Sequence, residues 1–394
     1  MKVRIEKMDN QGRGIVYVDN LITFIPKTII GDLVEIEIVK KSKKYHEARA
    51  INYLERGPLY KECNCPYYDK CGGCDLLNLS YLDQTNYKLK RVKELFLKYA
   101  NELVEPVFIS ANQFEYRNKV TLTIKNGKVG LIGLDNEVIG IKRCLLLKPV
   151  ISDFISSVDK FNINDGRVVI RANYNDELLI AIDTNDKIEI PAFNDFKIAG
   201  IILNDQVVKG DKSFIDKVNN LLFKVSYNSF FQVNSLINEE LFKLINNYIN
   251  NDDVVLDLYC GVGTLSINAS LKAKEVIGIE IVKNAIIDAN LNSRMNGRNN
   301  VNFLLGNVKD TINKVNKKFD CVIIDPPRNG IDNSSLEYIL NQKINKIIYI
   351  ACDTLSLVRD YEKIKDVYEI KHLTLLDMFP NTYHSESVCV LERK

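Results

Sequence analysis

Between residues 254 and 281 the chain passes from an apolar, strand-like stretch, Val254–Leu258, into Tyr259-Cys260-Gly261-Val262-Gly263-Thr264. A helical pattern over Leu265–Leu271 follows, and then a second apolar stretch, Glu275–Ile281. A strand, a glycine turn, a helix and another strand form the opening unit of a doubly wound, mostly parallel sheet. Gly261 and Gly263 let the backbone pass close beneath a ligand while helix N-terminal amides face it. Glu280 then places a carboxylate where it can hydrogen-bond both ribose hydroxyls of an adenosine. Ser266 stands where a dinucleotide fingerprint has its third glycine, which disfavours a nicotinamide cofactor. S-adenosylmethionine has a ribose and a charged amino-acid end but no pyrophosphate, and fits better. A purely structural glycine turn is the competing reading.

Two more apolar strands follow. Phe319–Ile324 ends in Asp325-Pro326-Pro327-Arg328-Asn329-Gly330, and Lys346–Ala351 is followed at once by Cys352. The prolines fix the chain direction at the carboxyl edge of the sheet, where open parallel sheets bind ligands, so Asp325 is aimed at a bound molecule. Methyltransferases acting on amino groups often carry a tyrosine after a similar Asp-Pro-Pro. Arg328 stands there in this chain, which demotes that reaction. Farther on, Met378-Phe379-Pro380-Asn381-Thr382-Tyr383-His384-Ser385-Glu386 leads into a last strand, Ser387–Leu391, and brings Glu386 toward the same crevice. Taken alone, Cys352 reads as a packed core thiol. With a methyl donor and a carboxylate beside it, the set suits methylation of carbon 5 of uracil. That carbon is a poor nucleophile until a thiolate adds at carbon 6, and a base must afterwards remove the carbon-5 hydrogen. Cys352 is the nucleophile and Glu386 the base in this reading.

The 394 residues exceed what one core usually serves, and three regions are expected. Residues 1–57 read as short strands, Ile15–Val18, Thr23–Ile25, Val34–Val39 and Ala48–Tyr53, separated by turn residues, which predicts a small barrel of the oligonucleotide-binding kind. Residues 58–232 open with a cysteine cluster and a helix over Tyr81–Tyr99. Strands over Val120–Ile124, Val129–Leu134, Val168–Arg171 and Leu178–Ile182 follow, a central α+β region. Residues 233–394 carry the doubly wound sheet. The net charge is +2, but residues 1–100 carry +5 and the remainder −3. Lys40, Lys41, Lys43, Lys44 and Arg49 sit beside Tyr45 and His46, a mixture suited to RNA phosphates with some stacking, or else a solvated loop. No run of eighteen apolar residues or signal-type leader is found, so a cytoplasmic protein without a membrane partner is expected.

Nine cysteines in such a chain argue for metal binding or catalysis over disulfides, and three histidines argue against a histidine-rich centre. Cys63, Cys65, Cys71 and Cys74 fall within twelve residues. The spacing of Cys65, Cys71 and Cys74, with Gly72-Gly73 in the gap, suits three thiolates around one metal centre whose fourth ligand comes from elsewhere. Spacing alone leaves both zinc and an iron–sulfur cluster open.

The chain resembles the RNA uridine-5 methyltransferase family along nearly its full length. The residues that carry the resemblance are Tyr116-Arg117-Asn118-Lys119, Ser229-Phe230-Phe231-Gln232-Val233-Asn234, Leu258-Tyr259-Cys260-Gly261, Asp325-Pro326-Pro327-Arg328 and Asp377-Met378-Phe379-Pro380. The resemblance implies a Rossmann-like methyltransferase domain and an N-terminal TRAM barrel that binds RNA. It implies that Gln232, Tyr259, Glu280, Asn307 and Asp325 contact S-adenosylmethionine, with Cys352 as nucleophile and Glu386 as base. It supplies Cys144 as the fourth ligand of a 4Fe-4S cluster with Cys65, Cys71 and Cys74. It also points to 23S ribosomal RNA, since members with both barrel and cluster tend to act there, whereas transfer-RNA enzymes often lack both. A monomer with no DNA partner is expected. The chain departs from the family at Ala351-Cys352-Asp353-Thr354, where Ser-Cys-Asn-Pro is usual. A carboxylate beside the thiol raises its pKa from about 8.5 and lowers its thiolate fraction, which is the motive for an alternative reading as a noncatalytic RNA-binding or ribosome-assembly factor. RNA cytosine-5 methylation ranks lower, because none of the nine cysteines follows a proline.

Overall fold

The computed structural model describes residues 1–394. Its N-terminal unit is a six-stranded sheet, ordered Lys2–Arg4, Leu33–Lys41, Tyr45–Glu55, Leu21–Ile25, Gly14–Val18 and Lys7–Met8. It closes over Ile5, Val16, Val18, Ile25, Val34, Ile36 and Ala48. The four expected strands are present, each extended by one to three residues at one or both ends. The two short ones were missed, because two- and three-residue strands have no readable alternation. At the basic hairpin, Lys40 pairs with Glu47 at 3.3 Å and Arg49 with Glu37 at 2.7 Å. His46 is buried with its Nδ1 unpartnered, so the expected stacking surface does not include it. Lys27, also buried, reaches out of this unit, donates from Nζ to the Cys74 carbonyl and lies 4.3 Å from the Tyr68 ring centroid.

A seven-stranded sheet follows, ordered Val138–Gly140, Lys128–Ile132, Lys119–Lys125, Gly166–Ala172, Leu178–Thr184, Ile198–Leu203 and Gln206–Gly210. Period-2 alternation turns Val120, Leu122, Ile124, Val168, Ile170, Ile180 and Ile182 to one face. They pack there with Ile151, Phe154, Ile155, Val158 and Phe161 from the helical segment 149–161.

The last sheet has eight strands, ordered Val301–Leu305, Glu275–Glu280, Val254–Leu258, Cys321–Ile324, Lys346–Ala351, Glu386–Arg393, Tyr368–Leu376 and Val107–Ile109. The first five are parallel, and Glu386–Arg393 runs antiparallel to both neighbours. Val254–Leu258 lies between the strand that follows it and a later one. The chain order therefore reverses at this strand, and ligands bind at such switch points. Two apolar clusters of 31 and 29 buried residues cover the two faces. The middle of the chain contributes to both. Val92, Leu95, Phe96 and Ala100 of helix Tyr81–Ala100 belong to the first cluster, and Phe214, Val218, Phe223 and Val225 of the hairpin Ser213–Val218/Leu221–Ser226 belong to the second. Val107–Ile109 adds in parallel to the far edge of the sheet.

Candidate active site

At the switch point, the turn after Val254–Leu258 is held in a conformation few residues adopt. Tyr259, Gly261 and Gly263 have φ of 64°, 55° and 83°, a region that excludes most side chains. A Cβ on Gly261 would meet nothing within 4 Å, whereas one on Gly263 would lie 2.7 Å from the Phe303 ring. Gly261 thus opens on a cavity and Gly263 admits close packing below it. That cavity has a volume of about 580 Å³ and is lined by Gln232, Tyr259, Gly261, Glu280 and Asp325 among others. Four of the five expected cofactor residues are brought together. The Glu280 carboxylate is oriented by backbone amides, accepting from Gly261 at 3.1 Å and Val282 at 2.8 Å, with lone pairs to spare. Asn307 does not line the cavity; its side chain caps helix Val308–Thr311 by accepting from the Lys309 amide at 3.0 Å. Tyr259 directs its hydroxyl to Asp332 at 3.0 Å, a partner seventy-three residues on that no local pattern announces.

Gln232 is placed by a motif from the other sheet. Asn118 accepts nothing from this loop but donates from Nδ2 to the Gln232 carbonyl at 3.1 Å and from its backbone amide to Val233 at 2.9 Å. Tyr116 donates to the Pro380 carbonyl at 3.1 Å, and Asn234 caps helix Ser235–Asn247 while donating to Met378 at 3.3 Å. Segments 116–118, 232–234 and 378–380 therefore brace one another. Asp377 anchors the last of them: buried Lys88 meets it at 2.6 Å and the Tyr81 hydroxyl at 2.9 Å, both from helix Tyr81–Ala100.

Cys352 follows Ala351, which pairs with Ser387 across the antiparallel ladder, so the thiol-bearing turn lies beside Glu386. Cys352 is half-buried, whereas Glu386 is only 2% exposed. Burial, followed by the Glu386 and Asp325 carboxylates, pushes the Cys352 thiol up to about 11; the Arg328 guanidinium opposes this, and Asp353 contributes least of the named groups. Burial pushes Asp325 up to about 7. Burial and the nearby Asp325 carboxylate also push Glu386 well above the usual carboxylate range. The three groups form one electrostatic unit at the carboxyl edge of the sheet.

The departure at Asp353-Thr354 has a structural role. Asp353 caps helix Thr354–Glu362 by accepting from the Leu355 amide at 3.3 Å, with Arg91 at 3.9 Å. The Thr354 hydroxyl bonds to that of Ser387 at 2.9 Å. Nearby, His384 stacks on Tyr383 with centroids 4.0 Å apart, and burial followed by Arg328, Arg91 and Lys88 lowers its pKa to about 4. Arg328, Arg91 and His384 were not read from the sequence as site residues. Only the position of Arg328, directly after Asp-Pro-Pro, could have signalled it.

Cys65, Cys71, Cys74 and Cys144 line a second, small and mostly apolar cavity with Tyr67 and Tyr68, and Cys63 is not among its lining residues. Burial and the neighbouring thiols push the Cys74 and Cys144 thiols upward. A cationic centre would reverse that repulsion and hold the sulfurs as thiolates. The donor set thus fits a thiophilic metal centre. The same segment meets the loop that precedes Glu386, since the Asp75 and Leu76 amides both donate to the Asn381 carbonyl at 3.0 Å.

A model of the tRNA (uracil-5-)-methyltransferase family matches residues 186–394, and a TRAM domain model matches residues 1–51. An uncharacterized RNA methyltransferase of Clostridium tetani is 32% identical over 98% of this chain and 95% of its own length. Another, from Halalkalibacterium halodurans, is 31% identical over 100% of this chain and 97% of its own length. In fold, the chain is similar to a Pyrococcus abyssi tRNA (uracil-54, C5)-methyltransferase solved with S-adenosyl-L-homocysteine: the TM-score is 0.83 at 24% identity, covering 99% of both chains. With a family model spanning more than half of its residues and relatives matched along at least 95% of their length, this chain belongs to the tRNA (uracil-5-)-methyltransferase family of RNA methyltransferases and carries a TRAM domain.

Proposed function

We propose that the chain methylates carbon 5 of a uridine in RNA, with Cys352 as nucleophile and Glu386 as base. The observation that carries this reading is the register that sets Cys352 beside Glu386, with Asp325 close enough to perturb both. S-adenosylmethionine, held by Gln232, Tyr259, Glu280 and Asp325, supplies an electrophilic methyl group when bound. Cys352 adds its sulfur to carbon 6 of the uracil, carbon 5 takes the methyl, and Glu386 then removes the carbon-5 hydrogen so that the C6–S bond can break. The positive charge that the cofactor would bring into the cavity Asp325 lines would favour the ionised carboxylates, which is the state a base needs.

The competing noncatalytic reading rested on Asp353-Thr354, and both residues have roles that keep the thiol turn in place. The experiment is a covalent trap. Protein mixed with cofactor and RNA containing 5-fluorouridine should form an adduct, because fluorine cannot leave as the hydrogen does. Cys352→Ala should abolish it. Absence of an adduct with the wild-type chain on cognate RNA would favour the noncatalytic reading.

We assign 23S ribosomal RNA as the substrate on the sequence resemblance, with a cytoplasmic monomer as the acting form. Transfer RNA is the second reading, favoured by the full-length likeness to the Pyrococcus abyssi enzyme, which is named for tRNA and shares this architecture. Mass-spectrometric mapping of uridine methylation in ribosomal and transfer RNA from a strain lacking the gene separates the two. Cys65, Cys71, Cys74 and Cys144 are the proposed ligands of a 4Fe-4S cluster. Their sharing of one cavity supports the set. Zinc is the alternative occupant, since a set of four thiolates serves either centre. Because methylation is redox-neutral, the role of the centre is structural or RNA-positioning.

A further inference from the structure

On the face of the seven-stranded sheet opposite its apolar core, the register sets Lys119 directly across from Arg171. Like charges at such a position destabilise a sheet, and nothing nearby neutralises Lys119. It makes no ion pair, and the charges acting on it are those of Arg171, Arg117 and Arg167. Burial first, and then these three cations, lower its pKa to about 8. Arg117 lies against the same strand, donating from Nε to the Lys119 carbonyl at 3.1 Å. Arg167 is occupied by Asp183 at 2.6 Å. Arg171 is only 5% exposed, the one carboxylate acting on it is that of buried Asp216, and its buried Nε has no hydrogen-bond partner. An unsatisfied buried guanidinium nitrogen beside an unpaired lysine is a costly arrangement that an anion would relieve.

The cluster sits next to the catalytic cavity. Arg171 donates to the Ser229 carbonyl, and neighbouring Asn118 holds the Gln232 carbonyl. Ser229, Phe230 and Gln232 all line the cavity, and Phe230 is 74% exposed. An anion on the cluster therefore lies beside the loop at the cavity mouth.

We propose that Lys119, Arg171 and Arg117 form a phosphate-binding site for the RNA backbone, gripping a phosphodiester next to the nucleotide that enters the cavity. The proposal rests on the reading of the chain as an enzyme acting on RNA. Cationic N–H donors clustered on one sheet face suit the single negative charge and the acceptor oxygens of a phosphodiester. The site lies outside the TRAM domain and adds a second contact with the strand.

The test is fluorescence anisotropy of a labelled oligouridylate over a series of potassium chloride concentrations, with S-adenosylhomocysteine binding and thermal melting measured in parallel. Lys119→Gln should weaken RNA binding about three- to tenfold at moderate salt and reduce the slope of log affinity against log salt by about one. S-adenosylhomocysteine affinity should not change, and the melting temperature should hold or rise as the like-charge repulsion is removed. Lys119→Arg should restore RNA affinity, and Arg117→Gln should lower the salt slope independently, should Lys119→Gln fold poorly. Unchanged RNA affinity and slope in both neutral variants would overturn the proposal, as would a loss confined to S-adenosylhomocysteine, which would assign the cluster to the cofactor's carboxylate. A wild-type chain with no salt-dependent affinity for RNA would overturn the RNA reading as well.

Discussion

The Thr354 hydroxyl lies 2.9 Å from that of Ser387, a buried contact tying the turn that carries Cys352 to the strand that begins at Glu386. Removing one partner leaves the other buried and unsatisfied, at a cost of about 1–3 kcal/mol. Thr354→Val is expected to lower stability by that amount in urea unfolding. It should also slow adduct formation with 5-fluorouridine RNA while S-adenosylhomocysteine affinity is kept. Thr354→Ser should recover most of both losses. A valine variant reacting at the wild-type rate would show that the tie does not position the thiol.

The thiol reacts as thiolate, and burial with the Glu386 and Asp325 carboxylates places Cys352 at about 11. Raising the pH from neutrality increases the thiolate fraction about tenfold per unit until the group titrates. The ionised fraction of Glu386 rises in the same direction. Initial rates of adduct formation should therefore climb steeply between about pH 7 and 9. Arg328→Gln should slow the reaction at fixed pH, because its charge opposes the upward shift. Asp353→Asn should accelerate it by less than about threefold, Asp353 being the weakest of the named influences. A pH-independent rate with an unaltered adduct yield would contradict this account.

Lys88 and Asp377 are both fully buried, 2.6 Å apart, and join helix Tyr81–Ala100 to the loop that precedes Glu386. Breaking such a pair from one side strands a charge, at about 3–5 kcal/mol. Lys88→Met should be that costly, whereas Lys88→Met with Asp377→Leu should be less so. Differential scanning calorimetry on the three proteins checks the ranking. A double variant no more stable than the single one would place the cost in packing.

The two glycines of the turn separate function from stability. Gly263→Ala meets the Phe303 ring and keeps a φ of 83°, so a loss of about 1–3 kcal/mol is expected. Gly261→Ala pays only the backbone strain, yet its methyl enters the cavity. Isothermal calorimetry with S-adenosylhomocysteine should show the larger affinity loss for Gly261→Ala and unfolding curves the larger stability loss for Gly263→Ala. The reverse order would mean that the ligand does not approach Gly261.

Cys63 stands apart from the cavity that the other four cysteines line. After anaerobic purification, Cys144→Ser should lose iron, sulfide and visible absorbance, and Cys63→Ser should keep them. Stoichiometric zinc in the wild-type protein, without iron, would reject the cluster.

Local features were legible in the sequence. Val254–Leu258 and Lys346–Ala351 are the strands that their apolar runs predict, Gly261 and Gly263 fall where a turn of positive φ needs them, and Glu280 ends the next strand beside the Gly261 amide. Those signals are carried by neighbours in the chain. Lys88 and Arg91 could not be recognised, because their partners lie nearly three hundred residues away. Lys119 and Arg171 were equally hidden, since only strand register makes them opposites. Asp353 looked like a hazard to the thiol, and only the helix it caps and Arg91 beside it reveal its structural role.

Val107–Ile109, laid along the outer edge of the C-terminal sheet, makes that sheet depend on a segment some 265 residues earlier in the chain. Trimming the protein back to its doubly wound half would bare the flank of Tyr368–Leu376, strip away the apolar side of helix Tyr81–Ala100, and leave a sticky β-ribbon ready to recruit other molecules. The catalytic half is thus completed by chain synthesised well before it, and cannot be excised as a free-standing cassette.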